Sequence, residues 1–210
     1  VQHIVEALRA YTHEFTNKLH VILGLLQLGE NRQAEEYVLR LTKTRAHSIS
    51  YISERIQEPS VAALLIGKSY RAAELGIRFV LDPASELRGD GQYLPASSLI
   101  TILGNLTENA FDALRSAPEN AQKEVTVSIR EGEHGMLLSV DDSGAGMAAP
   151  QLDRIFERGF STKGEGRGTG LSLVKETVDA FGGTIRVESE PGIGSSFIIT
   201  LSDAESRAQT

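Results

Sequence analysis

The stretch NLTENAFDAL, Asn105 to Leu114, sets two asparagines one helical turn apart inside an apolar pattern. Read outward, that pattern predicts a helix from Pro95, a residue suited to a first turn, to about Ala117. Its apolar stripe is Leu99, Ile102, Leu103, Leu106, Ala110 and Ala113. At roughly 100° per residue, Asn105, Asn109 and Asp112 gather on the flank of that stripe. Asparagine is a mediocre helix former, so two on one flank call for a reason. One reading is a solvated polar edge. The other is a pair of amide oxygens holding Mg2+ against a nucleotide's phosphates. Magnesium prefers oxygen and keeps several waters, so few protein ligands suffice.

Downstream, EVTVSIRE and GMLLSVDD alternate as two strands around a turn at Gly132 to His134. DDSGAGM (Asp141 to Met147) follows the second strand, and a short helix is expected near Gln151 to Phe156. GEGRGTGLSLV (Gly164 to Val174) precedes a helix from Leu171 to Phe181. Glycines at a helix start let backbone N–H groups approach a phosphate. Each cluster alone reads equally well as a turn. There is no GxxxxGK[ST], and the second cluster lacks the preceding strand that a dinucleotide fold needs. GTIRVESE and GSSFIITL close the domain as a hairpin around Pro191-Gly192.

Upstream the pattern is helical. Ile4, Leu8, Tyr11, Phe15, Leu19, Ile22 and Leu26 recur at steps of three or four, Gly29 to Asn31 makes a turn, and a second helix is expected from about Arg32 to Gln57, ended by Pro59. Such a hairpin has too little core to stand alone, so a dimeric four-helix bundle is the expected completion. After Pro59 come a helix over Val61 to Leu75 and a strand, Ile77 to Asp82, so the second part reads as mixed α/β. The expected domains are 1–58, 59–202 and a polar tail, 203–210.

Composition narrows the functions. The chain has 210 residues, no cysteine and a formal net charge of −7. Disulfides and thiolate chemistry are excluded, and no basic run supports duplex binding. No stretch reaches the ~18 apolar residues of a membrane span. The chain starts at Val1 already inside a helical pattern, which suggests a piece of something longer.

Taken in order, NLTENAFDAL, DDSGAGM, IFERGFSTK (Ile155 to Lys163) and GRGTGLSLV resemble the N, G1, F and G2 boxes of sensor histidine kinases, members of the Bergerat-fold ATPases. RAYTHEFTNKLHVILGLLQLG resembles their phosphoacceptor H box, in particular that of the citrate and C4-dicarboxylate sensor kinases. The resemblance implies an α+β chain: a helical hairpin, then a Bergerat-type α/β sandwich that binds ATP and Mg2+. It implies that Asp142 accepts from the adenine amino group, with Gly144 and Gly146 turning closely beside the base. Asn109 is the implied magnesium ligand, with Asn105 assisting. Gly166, Gly168 and Gly170 form the implied hinge and phosphate cradle, and Asp112, Thr162, Thr169 and Leu171 fall within the same matched motifs. Phe156 and Phe160 match lid anchors, Phe156 reading equally well as plain core. Lys163 and Arg167 lie where phosphates would sit.

Two histidines compete in YTHEFTNKLH, Tyr11 to His20. His13 falls roughly 160° from the apolar stripe, and His20 also points outward, so helical geometry does not choose. Neighbours do. His13 is followed by Glu14, and Asn17 lies four positions on. A carboxylate fixes the ring's tautomer and steadies its developing charge, and an amide on the same face orients water for the reverse reaction. His13, Glu14 and Asn17 are therefore the expected catalytic set.

The expected function is ATP-dependent autophosphorylation of His13 and transfer to an aspartate of a response-regulator receiver domain. The chain would be a homodimer and the cytoplasmic part of an inner or plasma membrane protein, with a hinge around Glu58 to Ser60. A Hsp90-like or MutL-like ATPase is one alternative, though it needs a water-activating glutamate where this chain has Asn105. A nucleotide-responsive scaffold without kinase activity is the other.

Overall fold

The computed structural model describes residues 16, 18–42, 47–89, 91–115, 122–160 and 168–202. The chain divides into two compact units, Val1–Ala46 and His47–Thr210.

In the first unit, helix α1 covers residues 18–27 and α2 covers Asn31–Thr42. The turn falls where the sequence puts it. Gly29 takes a positive φ of 76°, and Glu30 N donates to Leu25 O at 2.9 Å, closing the end of α1. Leu19, Val21, Leu23, Leu26 and Leu28 are exposed, although Leu19 and Leu26 belong to the expected buried stripe. The helix is apolar on more faces than a single hairpin covers.

The second expected helix is described as two, α2 and α3 (His47–Arg55), and α3 belongs to the second unit. The last expected helical residues are not helical. Ile56, 2% exposed, forms a parallel bridge with Leu87. Gln57 N donates to Leu87 O at 2.8 Å and Leu87 N to Arg55 O at 2.9 Å. The expected hinge at Glu58 to Ser60 is likewise occupied. Glu58 accepts from Val61 N at 2.7 Å and caps α4 (Pro59–Glu74), with Pro59 in its first turn. The segment is thus an element end, the ladder closing at Gln57 and α4 opening at Pro59.

Strand β1 (Arg78–Leu81), helix α5 (Ala96–Arg115), strands β2 (Glu124–Glu131) and β3 (Gly135–Asp142), helices α6 (Ala149–Leu152) and α7 (Gly170–Ala180), and strands β4 (Thr184–Glu190) and β5 (Gly194–Ser202) follow. The five strands make one mixed sheet in the order β1-β2-β3-β5-β4. Alternation decides its faces. Val125, Val127 and Ile129 of β2, Met136, Leu138 and Val140 of β3, and Phe197, Ile199 and Leu201 of β5 are all buried on the helix side. The register pairs Val127 with Val140 and Val140 with Phe197. Against this face lies the α5 stripe of Leu99, Ile102, Leu103, Leu106, Ala110, Phe111 and Leu114, together with Val174 and Val178 of α7. Each of these side chains apart from Ala110 contributes about 1.5–3 kcal/mol by leaving water. The opposite sheet face carries exposed Arg130, Leu137, Arg186, Glu188 and Thr200. Pro95 stands just outside α5, its carbonyl accepting from Ser98 N and Leu99 N.

Candidate functional site

Burying the α5 stripe leaves Asn105, Asn109 and Asp112 half-exposed along one flank. Their environments differ. Asn105 Nδ2 donates to Thr101 O at 2.7 Å. Asp112 Oδ1 accepts from Arg115 Nη1 at 3.2 Å. Asn109 forms no side-chain hydrogen bond among the described residues. Glu108 points elsewhere: Lys68 Nζ of α4 donates to it at 2.6 Å.

The second edge of the site is the end of β3. The two aspartates of DDSGAGM take opposite faces. Asp141 lies on the open side, bonded by Ser139 Oγ at 3.0 Å and by Ser196 Oγ. Asp142 shares the helix side with Val140. Its Oδ1 accepts from Gly144 N at 2.8 Å, a turn that carries the chain over α5. A Cβ on Gly144 would lie 2.9 Å from Ala113 Cβ. Gly146 has a φ of 64°, and a Cβ there would lie 2.0 Å from Glu190 O. The loop is fixed from the far side as well. Gly192 N donates to Ala145 O at 2.7 Å, and Met147 N to Ser189 Oγ at 2.8 Å. Ser189 in turn donates to Gly194 O. Ser189 escaped the sequence reading because only the β3-β5-β4 pairing brings it to Met147.

The third edge is the start of α7. Gly170 opens the helix, and a Cβ there would lie 2.8 Å from Asn105 Oδ1. Leu173 N donates to Thr169 O at 3.0 Å, and Leu171 packs partly buried on the core. Gly168 has a φ of 114° and accepts from Gly159 N at 3.1 Å, so the chain on either side of 161–167 meets there. Phe156 and Phe160 both pack against the core, and Arg154 places its guanidinium 4.7 Å above the Phe160 ring. Arg158 forks onto Glu176 of α7 at 2.9 and 3.1 Å. The hydrogen bond from Arg158 holds the Glu176 carboxyl below its ordinary range, the Coulomb attraction adding to it and desolvation opposing it. The same bond raises Arg158, with the same attraction behind it.

The structure thus sets Gly170 against Asn105 and the Asp142–Gly144 turn against Ala113, with Asn109 between them along α5, over the end of the central strand β3. His13, Glu14, Asn17, Thr162, Lys163, Gly166 and Arg167 lie outside the described residues. His20 is exposed on α1. A shallow cavity of about 420 Å³, lined by Asp141, Asp142, Ser195 and Ser196 among others, touches this site only at Asp142. The fit to a magnesium nucleotide rests on two features. One is the Asn109 amide on α5, without a side-chain hydrogen bond among the described residues. The other is the set of glycines at the Asp142 turn and before α7, packed so closely on neighbouring protein atoms that a Cβ would collide with them, which leaves backbone N–H groups without side-chain cover.

Comparison with known proteins identifies the family. The family described as histidine kinase-, DNA gyrase B-, and HSP90-like ATPase matches residues 95–205, and the sensor kinase SpoOB-type alpha-helical domain matches residues 1–54. The chain belongs to this ATPase family. Within it, the likeness runs to particular sensor kinases. The sensor histidine kinase DcuS of Escherichia coli is 44% identical over 93% of this chain and 36% of its own length. The sensor protein CitS of Halalkalibacterium halodurans is 41% identical over 99% of this chain and 38% of its own. The chain therefore spans little more than a third of these relatives. Among solved structures, the catalytic domain of histidine kinase ThkA superposes with a TM-score of 0.54 at 20% identity, covering 69% of this chain and 92% of that one. Full-length ShkA in complex with AMPPNP superposes at 0.52 with 24% identity, covering 93% and 45%. These two likenesses speak for the fold.

Proposed function

We propose that this chain is the cytoplasmic catalytic core of a two-component sensor histidine kinase of the citrate and C4-dicarboxylate group. It phosphorylates its own His13 from Mg-ATP and passes the phosphoryl group to an aspartate of a response-regulator receiver domain. One observation carries the reading: the Asp142 turn and the glycine start of α7 both pack on α5, on either side of Asn109 along that helix. Likeness to relatives named as sensor kinases or sensor proteins, one of them a probable C4-dicarboxylate sensor kinase that is 38% identical over 96% of this chain, supports the physiological class.

Asp142 reads the adenine amino group. Asn109 holds the magnesium with Asn105 assisting. Asp112, Phe160, Thr169 and Leu171 bound the nucleotide, and Thr162, Lys163 and Arg167 face its phosphates. The metal, when bound, neutralises charge on the transferring phosphoryl group. A ring nitrogen of His13 attacks the γ-phosphorus in line, forming an N–P bond as ADP leaves. Glu14 hydrogen-bonds the ring and steadies its positive charge. Asn17 orients water for dephosphorylation of the regulator. The amino-terminal part, expected over 1–58, serves as dimerisation and phosphoacceptor module, its last stretch from His47 packing with the ATP-binding module expected over 59–202, and 203–210 is a tail. The exposed leucines of α1 are the surface a second copy covers. Against an ATPase that activates water stands Glu108, held by Lys68 on the α4 side.

Incubation with γ-labelled ATP tests the proposal. Acid-labile, base-stable label should appear on the full chain, vanish in His13→Gln and persist in His20→Gln. Label that persists in His13→Gln and disappears in His20→Gln reverses the assignment.

A further inference from the structure

Asn105 and Gly170 form a contact that neither needs for its own element. Gly170 is the first residue of α7 and is not among the glycines with positive φ, so its backbone does not demand glycine. What excludes a side chain is room: an added Cβ would stand 2.8 Å from Asn105 Oδ1 and 3.6 Å from its Cγ. The Asn105 amide is oriented by its own helix, Nδ2 donating to Thr101 O at 2.7 Å, which turns Oδ1 towards α7. An oxygen there meets the positive end of the α7 dipole. Asn109, one turn further along α5, is the amide left without a bond among the described residues.

We infer that Asn105 is a positioning residue acting through Gly170. Its carbonyl sets the spacing between α5, which carries the magnesium ligand Asn109, and the first turn of α7, which faces the nucleotide phosphates. This rests on the function proposed above and gives the assisting role of Asn105 a physical form. A metal ligand and a spacer respond differently to magnesium. Loss of a ligand shifts the magnesium dependence of nucleotide binding. Loss of a spacer weakens nucleotide binding with or without the metal.

The test uses the full chain, with AMPPNP binding measured across a magnesium titration and in chelator. The variants are Asn105→Ala, Asn109→Ala, Gly170→Ala and the double Asn105→Ala/Gly170→Ala. Thermal unfolding without nucleotide is measured in parallel. Asn105→Ala should weaken AMPPNP binding equally with and without Mg2+ and leave the magnesium midpoint in place, whereas Asn109→Ala moves it. Gly170→Ala should weaken binding about tenfold in the parent and much less where Asn105 is already alanine, as coupled neighbours behave. The same rescue should appear in the unfolding midpoint. A magnesium midpoint shifted by Asn105→Ala as far as by Asn109→Ala, or independent effects of the two substitutions, overturns the inference. A parent chain that binds no AMPPNP refutes the nucleotide reading itself. A spacer role in nucleotide binding then falls with it, and rescue confined to the unfolding midpoint reports the contact alone.

Discussion

Gly146 and Gly192 both take positive φ, yet they answer to different constraints. A methyl on Gly146 would meet Glu190 O at 2.0 Å, whereas nothing lies within 4 Å of one on Gly192. Gly192→Ala pays only for the left-handed backbone, about 1 kcal/mol. Gly146→Ala adds a backbone collision and should lose more than about 2 kcal/mol by denaturant unfolding, taking nucleotide binding with it. Asp142→Asn separates recognition from stability. An asparagine oxygen still accepts from Gly144 N, so the unfolding midpoint should hold. Loss of the charge-assisted bond to the base, about 1.5–3 kcal/mol, should weaken adenine nucleotides roughly 10- to 100-fold by calorimetry. At this scale the sequence was informative where a motif and a periodicity coincide. The D-x-G-x-G match singles out Asp142, and strand alternation puts it on the helix side, opposite Asp141. It was silent on Ser189, whose bond to Met147 N spans 42 positions and exists only through sheet order.

The elements were legible as types and less so at their ends. Every strand and helices α4, α5 and α7 fall within a few residues of where periodicity puts them, whereas α6 covers Ala149–Leu152 and not the expected Gln151 to Phe156, where the chain continues in turns after Leu152. Ile56 misled, because an isoleucine one turn after Ile52 fits a helical stripe as well as a β-bridge. Its bridge to Leu87 and its burial tie α3 to the α/β unit, although the helical-domain match extends to residue 54. Ile52→Ala and Ile56→Ala should each destabilise that unit by about 2–5 kcal/mol in thermal unfolding. Unchanged unfolding of the unit would place α3 outside it. A second tie joins Arg158 to α7 through Glu176. Its pH sense follows from a carboxyl pKa lowered by folding. The bond contributes fully above the ordinary value of 4.5 and is lost as pH falls through the lowered one. In Arg158→Gln, the Glu176 carboxyl followed by NMR should titrate at higher pH than in the parent.

The whole molecule joins a compact α/β unit to a helical unit whose leucines face water in the single chain. A helix apolar on several faces is stable in water when a partner covers it, as in a dimeric bundle. Hydrodynamic mass should therefore report a dimer, and Leu23→Glu together with Leu26→Glu should shift it to monomer. The central claim is narrower than the assembly. It holds that the α/β unit takes a magnesium nucleotide between the asparagine helix, the Asp142 turn and the glycine start of α7. Calorimetric titration of the full chain with a non-hydrolysable ATP analogue, with Mg2+ and then in chelator, addresses it most directly. The account predicts one nucleotide per chain, tighter with the metal, and weakened by both Asp142→Asn and Asn109→Ala. Absence of binding by any adenine nucleotide, or binding indifferent to both substitutions, would contradict it.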